Sequence, residues 1–424
     1  MKVPSPRSSV LWTGRYQSLI AAVLIAVQVA LILSLPVLGP AKASIVTQTG
    51  VLCFVATIAG IALIKSLGRY PGVEESSYAF VGLAASYGLL LLILLMLRVP
   101  YSRPLIASSF LTNALAFSIL YATLRRETKL CIGLIPEGPY RDMIALPNVT
   151  WRILETPDSS TRGIDAISVD LRGDIADEWE RRLATFALEG VPVYDLKHLR
   201  ESLTGKVQIE QLSENSLGTL SPLYAWMTIK QVLDWVLAFV GLLLLLPFLV
   251  PLAFAIRLDS PGPVLFRQTR IGYRGQPFQV YKLRTMTVAT PSAGSASGRD
   301  AAMTKDGDLR VTRIGRFLRQ SRIDELPQLI NVLKGEMSWI GPRPEAQVLS
   351  QWYESEIPFY QYRHIVRPGI TGWAQVNQGH VVDVANVTEK LHYDFYYIKH
   401  YSLWLDLIIV GRTIQTMMTG FGAR

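Results

Sequence analysis

The sequence predicts an integral membrane protein in three parts. These are a four-helix transmembrane bundle (residues 1–127), a small cytoplasmic α/β domain (128–218), and a mainly α C-terminal domain (228–424) entered through a re-entrant membrane helix. Three observations carry this. Half of the 424 residues are apolar and only 18% are charged, with a positive mean hydropathy, too apolar for an ordinary soluble chain of this size. Four long apolar runs open the chain, and strand-like then helical segments follow. A fifth apolar run is then interrupted by two prolines.

The opening runs cover roughly 17–38, 45–64, 77–97 and 104–124, each long enough to cross about 30 Å of hydrocarbon as a helix. Lys2, Arg7, Arg15, Lys65, Arg69, Arg125, Arg126 and Lys129 fall on one side of them, and only Lys42, Arg98 and Arg103 on the other. The positive-inside rule therefore puts the N-terminus and the chain after 125 in the cytoplasm. Ala41-Lys42-Ala43 resembles a signal-peptidase site, but the preceding apolar stretch is long for a signal peptide and three more runs follow. The net charge of +9 fits cytoplasmic loops and contact with anionic lipid. No nucleic-acid motif accompanies it, so nucleic acid is not an expected partner.

Residues 129–215 read as an α/β domain. "KLCIGLIP", "VTWRILE" and "GIDAISVDL" are strand-like, and "DIADEWERRLATFALEG" has helical spacing with a glycine stop. Strands alternating with helices suggest a parallel, Rossmann-like sheet. "GLIPEGPYRD" after the first strand is not a dinucleotide-binding G-x-G-x-x-G, so the domain is expected to be cofactor-free and structural or regulatory. Cys53 and Cys131 give no disulfide framework, and no histidine sits at zinc spacing from a cysteine.

The fifth run, "VLAFVGLLLLLPFLVPLAFAI" (236–256), carries Pro247 and Pro251. Proline removes a backbone donor and clashes with the preceding turn, so a kink or break is expected. Lys230 and Lys282 flank the run on opposite sides, with Arg257, Arg267, Arg270 and Arg274 close after it. Basic residues at both ends favour a helix that dips in and returns; an ordinary fifth span with a tolerated kink is the alternative. The Gly/Ser/Ala-rich tract 290–307 reads as a loop, either covering a site or idle. Residues 401–418 read as an interfacial helix with Trp404 near the headgroups, or as a core helix.

"QSRIDELPQLINVLKGEMSWIGPRPE" (320–345) sets Asp324 and Glu325 side by side among Arg316, Arg319, Arg322, Lys334 and Arg343. Adjacent residues on a helix point about 100° apart, so one carboxylate can face a reacting group while the other holds a metal. Mg²⁺ commonly bridges one or two carboxylates to substrate phosphates. Arg319, Arg322 and Arg343 have the fork that matches phosphate oxygens, and their charge would keep Asp324 ionised and nucleophilic. "WIGPRPE" and "VRPGITGWAQVN" (366–377) are rigid turns bearing Arg343 and Arg367. These residues alone point to phosphoryl chemistry at a cytoplasmic membrane surface, with a solvated, salt-bridged structural patch as the plainer reading.

"KQVLDW", "GPVLFRQTRIGYRGQPFQVYKLRTM", "SRIDELPQLINVLKGEMSWIGPRPE", "VRPGITGWAQVN" and "YDFYYIKHYSLWLDL" together resemble the bacterial sugar transferases, the monotopic phosphoglycosyl transferases. The likeness covers roughly 228–424, with all blocks in order; the N-terminal half is similar to the long, exopolysaccharide-type members. The resemblance implies that Asp324 attacks the β-phosphorus of a UDP-sugar and expels UMP. Polyprenyl phosphate, of the undecaprenyl kind, then takes the phosphosugar, as the first membrane step of a surface polysaccharide. Glu325 would bind Mg²⁺, Arg319 and Arg343 the phosphates. Lys230 and Asp234 match the pair that opens the re-entrant helix, and Pro247 its helix-breaking proline. Leu246 departs from members with serine before that proline, so the bend lacks one hydroxyl partner. The implied location is the bacterial inner membrane with the catalytic domain on the cytoplasmic face. A non-catalytic assembly or regulatory protein of polysaccharide export is the second reading, disfavoured by the intact acid pair. The sugar is not legible, and the oligomeric state is open, a homodimer included.

Overall fold

A computed structural model describes residues 6–34, 40–67, 75–124, 130–146, 149–209, 222, 224–287, 310–379 and 383–419. The tract 290–307, the domain boundary expected at 218, and Lys2, Arg69, Arg125, Arg126 and Lys129 lie outside the described residues. By its contacts the chain divides into two compact units, Met1–Gly205 and Lys206–Arg424. Lys206 and Val207 already belong to the second: Val207 N donates to His392 O (3.0 Å), and Lys206 pairs with Glu389.

The four apolar runs fold as α1 (Pro6–Leu33), α2 (Pro40–Leu67), α3 (Glu75–Met96) and α4 (Arg103–Leu124). Lys42–Ile64 and Arg103–Leu120 are long and apolar enough to cross a membrane; Gln17–Leu33 and Phe80–Met96 are shorter apolar stretches. Their inward faces meet at Ile25, Cys53, Ile64, Leu83 and Phe117, while Leu19, Val23, Val27 and Leu31 point outward. With lipid outside as apolar as the core, helices gain from close approach rather than from hydrophobic burial. Gly60 fits that rule. A Cβ there would lie 2.8 Å from Leu83 Cδ2 and Ser86 Oγ, and nearby Thr57 Oγ1 and Tyr87 OH hydrogen-bond across α2 and α3 at 2.9 Å.

The next segment forms a four-stranded, all-parallel sheet in the order β2-β1-β3-β4, with β1 Leu130–Leu134, β2 Val149–Ile153, β3 Ala166–Val169 and β4 Val193–Asp195. The short helix α5 (Arg141–Ile144) follows β1. Strand alternation splits the core in two. Ile167 and Val169 face α6 (Asp177–Leu188) through Trp179, Leu183 and Phe186; Ile132 and Leu134 face α7 (Leu196–Thr204) through Leu196 and Leu199. Asp195 caps α7 by accepting from Lys197 N and His198 N, and Gly205 ends it at φ 66°.

The first helix of the second unit is α8 (Tyr224–Asp259), which runs helical through Pro247 and Pro251. The prolines leave the carbonyls of Leu243 and Pro247 without their helical donors. Those two lie one turn apart on the same face, so both weaken one side of the helix. The antiparallel hairpin β5 (Leu265–Ile271) and β6 (Pro277–Leu283) follows, then α9 (Arg313–Gln320), a 3₁₀ turn (Ile323–Gln328) and α10 (Leu329–Leu333). Strand β7 (Ser338–Ile340) pairs in parallel with β8 (Gly369–Thr371), with α11 (Gln347–Glu356) and a second 3₁₀ turn (Tyr360–Ile365) between them. The chain closes with α12 (Trp373–Gln378), α13 (Val384–Lys399) and α14 (Leu403–Thr419). In α14 Leu405, Ile408 and Ile409 are core, while Trp404, Val410, Ile414 and Met417 are exposed.

Candidate active site

Asp324 and Glu325 sit on the 3₁₀ turn, not on an α-helix. Pro327 is the local reason: its ring opposes the carbonyl four residues back, and the turn tightens to i→i+3 bonding, with Glu325 N donating to Arg322 O at 3.2 Å. The two carboxylates therefore project about 120° apart rather than 100°. Arg322, just before them, holds a left-handed φ of 57°, a strained conformation for a residue with a Cβ.

The pair divides its work. Glu325 Oε1 accepts from Lys282 Nζ and Arg343 Nη2, both at 2.8 Å, with Arg322 Nη1 at 3.9 Å. Burial works against its charge, yet Arg343 and Lys282 hold its carboxyl well below the usual range. Asp324 is also buried, and its Oδ1 has no hydrogen-bond partner. An orphaned buried carboxylate oxygen is costly and calls for an explanation. Burial, and then the neighbouring Glu325 charge, push the Asp324 carboxyl upward; Lys282, Arg322 and Arg343 oppose this. Arg322 and Arg343 do favour the Asp324 anion, as expected, but burial outweighs them, and the direct contact of Arg343 goes to Glu325.

Lys282 was expected only as a flanking charge, yet it is the closest lysine to the acids. It projects from β6 toward the turn, and burial pushes its ammonium down to about 8, with Glu325 opposing. Its signal was available in "VYKLRTM", where a lysine occupies one position of an otherwise alternating strand. Arg319 stands apart from the pair: its Nε donates to Thr285 Oγ1 at 2.9 Å. The approach of α9 to that strand end requires Gly315, where a Cβ would come within 2.1 Å of Thr285 O. Thr312 caps α9 by accepting from Gly315 N at 2.9 Å.

Arg343 is fixed from behind. Its carbonyl accepts from Arg363 Nη2 (2.8 Å), and Pro344 O accepts from Arg270 Nη1 (2.5 Å). Arg363 pairs in turn with Asp394 (2.9 Å), and Lys390 with Glu345 (2.5 Å), in a layer of charges almost wholly buried. The β7–β8 pairing beneath needs glycine twice, since a Cβ on Gly341 would lie 2.3 Å from Arg367 O and one on Gly369 2.0 Å from Gly341 N. Arg367 does not join the acids; its Nε donates to Gly335 O at 2.9 Å.

Lys230 and Asp234 do come together, at 3.3 Å, near the start of α8. Asp406 of α14 reaches Lys230 Nζ at 3.0 Å, Ser338 Oγ donates to Asp234 Oδ2 at 2.5 Å, and Trp339 Nε1 donates to Asp234 O. The far end of α8 is tied down too, with Arg284 Nη2 donating to Ile256 O (3.0 Å) and Ser260 O (2.5 Å). Ser338, Arg284, Asp406 and Arg363 escape sequence reading because their partners are distant in the chain. Pro247 contributes to no polar contact and stays within the apolar stretch of α8.

Among the described residues no group of three or more His, Cys, Asp or Glu side chains could hold a metal ion by itself. Mg²⁺ bound by one or two carboxylates completes its shell with phosphate oxygens and water. The orphaned oxygen is Asp324 Oδ1, whereas Glu325 Oε1 already accepts from two cations, so an ion delivered with a diphosphate would meet Glu325 only through its other oxygen.

The sequence profile described as "Bacterial sugar transferase" matches residues 225–420. The UDP-N-acetylgalactosamine-undecaprenyl-phosphate N-acetylgalactosaminephosphotransferase of Aeromonas hydrophila is 45% identical over 370 residues, 87% of this chain and 85% of that protein. The UDP-glucose:undecaprenyl-phosphate glucose-1-phosphate transferase of Caulobacter vibrioides is 48% identical over 192 residues, 45% of this chain and 70% of that protein. The like-named protein of Escherichia coli is 39% identical over 223 residues, 52% of this chain and 46% of that protein.

Proposed function

The chain belongs to the bacterial sugar transferase family, and from that premise we propose that it transfers a sugar-1-phosphate from a UDP-sugar to undecaprenyl phosphate. The orphaned, buried Asp324 Oδ1, beside a Glu325 whose Oε1 accepts from Lys282 and Arg343, is the observation that carries this reading. In the first step an Asp324 oxygen attacks the β-phosphorus. The bond from that phosphorus to the bridging oxygen breaks, and UMP leaves with the electron pair. In the second, an oxygen of the lipid phosphate attacks the same phosphorus and the carboxylate is released unchanged. No proton need move in either step. Lys282 and Arg343 hold positive charge where phosphate oxygens gather charge, which is worth most in a site shielded from water. Arg322, 3.9 Å from Glu325, adds charge beside the pair, and Arg319 would serve phosphate oxygens farther from it. Mg²⁺, held by Glu325 and the diphosphate, would neutralise further phosphate charge.

The re-entrant placement of α8 has physical support. Lys230 and Asp234 near its start and the Ile256 and Ser260 carbonyls at its end are all bound by the same compact unit. A helix whose two ends are fixed to one soluble body has both ends on one side of the apolar layer. Between them, Leu243, Leu244, Leu246, Phe248 and Phe254 are exposed and apolar, as lipid contact requires. On this reading the acids lie at the boundary shared by a soluble UDP-sugar and a lipid phosphate; the cytoplasmic face of the inner membrane is the side that the basic loops favour. The Aeromonas relative is named for N-acetylgalactosamine and the Caulobacter one for glucose, so both UDP-sugars belong in the first screen.

The test is purified protein with Mg²⁺, undecaprenyl phosphate and UDP-sugars labelled in the sugar. Wild type should release UMP, and without lipid acceptor should retain label on the protein. Asp324→Asn should do neither; unchanged turnover in that variant would end the nucleophile assignment. Labelling of the C-terminus from the periplasmic side would end the membrane placement.

A further inference from the structure

Strand alternation gives the β5–β6 hairpin two different faces. Lys282 turns toward Glu325; Tyr281, one residue earlier, turns the other way and carries a second basic cluster. Arg267, its cross-strand partner, lies 5.6 Å from the Tyr281 ring centre. Lys334 lies 4.7 Å from the same centre and donates to the Tyr281 hydroxyl at 2.8 Å. Arg274 and Arg367 each lie 5.0 Å from the Tyr273 ring centre, and the Arg367 bond to Gly335 O joins the two halves. Among the described residues none of these four cations forms a salt bridge with a carboxylate. Glu336, the acid on the same turn, accepts from Asn331 instead. Arg267, Arg274 and Lys334 are exposed.

The position of the cluster is informative. Gly335, beside Lys334, turns at φ 75° against the first turns of α8, where a Cβ would lie 3.4 Å from Gln231 Nε2. From Val232 onward α8 exposes Trp235, Val236, Leu237 and Phe239. Lys334, and Arg367 through Gly335 O, therefore lie beside the exposed apolar face of α8, with Trp235 suited to the role of an interfacial aromatic. Cations stacked on tyrosine keep their charge toward solvent while losing side-chain freedom. We propose that Arg267, Arg274, Lys334 and Arg367 form a docking site for the headgroups of anionic phospholipids, separate from the acid pair and its lipid substrate. Anionic bilayers attract basic residues at their surface, and four on one face make a cooperative platform. The site would hold the hairpin against the membrane and fix the height of Lys282 above it.

The inference does not depend on the transferase reading, because lipid labelling and UMP release are separate readouts. The full chain would be placed in nanodiscs of phosphatidylcholine with and without phosphatidylglycerol, each doped with a photoreactive version of one lipid. Phosphatidylglycerol should label the hairpin and the Lys334 turn in wild type, less so as salt rises. In Arg267→Gln/Lys334→Gln that labelling should fall about fivefold or more, with UMP release in neutral discs unchanged. Arg267→Lys/Lys334→Arg should retain it, separating lost charge from lost folding. Equal labelling of wild type and the glutamine variant, or equal labelling by the neutral probe, would overturn the proposal. So would displacement of the anionic probe by UDP-sugar, which would make this a site for the soluble diphosphate.

Discussion

The parallel sheet of residues 130–205 has an almost wholly apolar core, whereas the C-terminal unit adds a layer of buried charges to its apolar clusters. The sheet is closed on both faces by Ile167, Val169, Phe186, Ile132, Leu134 and Leu199, the ordinary solution for a parallel sheet. The C-terminal unit buries Lys230, Asp234, Arg284, Asp324, Glu325, Arg363, Lys390, Asp394 and Asp406. Paired buried charges rarely stabilise more than apolar residues of the same size would, but losing one partner is expensive. A region that carries so many is organised for something other than stability, and here each pair leads to the Asp324 turn, the Arg343 turn or an end of α8. The difference separates a replaceable apolar scaffold from a charge layer in which single groups matter.

That contrast can be broken in several places. The largest effect belongs to Asp324→Asn, which should lower turnover by on the order of 10⁴-fold with no loss of thermal stability, since it removes a nucleophile and a buried charge together. Thermal unfolding and UMP release measured together check it. Next is Arg363→Ala, which strands Asp394 and unties the Arg343 carbonyl. It should cost about 3–5 kcal/mol of stability, read by unfolding in detergent, and the remaining folded enzyme should also be slow. Arg343→Ala comes third, with turnover reduced by roughly 10²–10³-fold and a smaller shift in unfolding than Arg363→Ala. Phe186→Ala, in the sheet, should cost about 3–5 kcal/mol locally yet leave UMP release of the folded protein within about twofold, as a scaffold change outside the charge layer. Equal damage to turnover from Phe186→Ala and Arg343→Ala would erase the distinction drawn here.

The smallest effect is on pH. Lys282, with its value lowered to about 8, carries its proton below that pH and loses it above, so the KM for UDP-sugar should rise as pH passes about 8. Lys282→Arg should flatten that limb. On the acid side, Asp324, the proposed nucleophile, has a raised value and should protonate, lowering turnover, above the pH of an ordinary aspartate. A profile whose acid limb follows an unperturbed carboxylate would show that Asp324 is solvated in the working enzyme.

Much of the arrangement was written locally. The apolar runs, the strand and helix segments of the sheet, the acid pair and the rigid Pro-Arg-Pro turn follow from composition, periodicity and φ restrictions within a few residues. The resemblance blocks named the family. Three features of the site were not legible locally, for physical reasons. Pro327 turns the acids onto a 3₁₀ rather than an α geometry. The arginine and lysine contacts converge on Glu325 rather than Asp324. Arg319 engages Thr285, and Arg367 faces a cluster beside α8.

By itself, then, the sequence determined which stretches are apolar, which are strands or helices, and which two acids stand together, because those properties depend on neighbours along the chain. Only the tertiary structure decided which charge meets which acid: Lys282 is 43 residues from Glu325 and Arg343 is 18 away. Charge pairing is a matter of distance in space and of burial, and neither is fixed until the hairpin, the 3₁₀ turn and the two ends of α8 have packed.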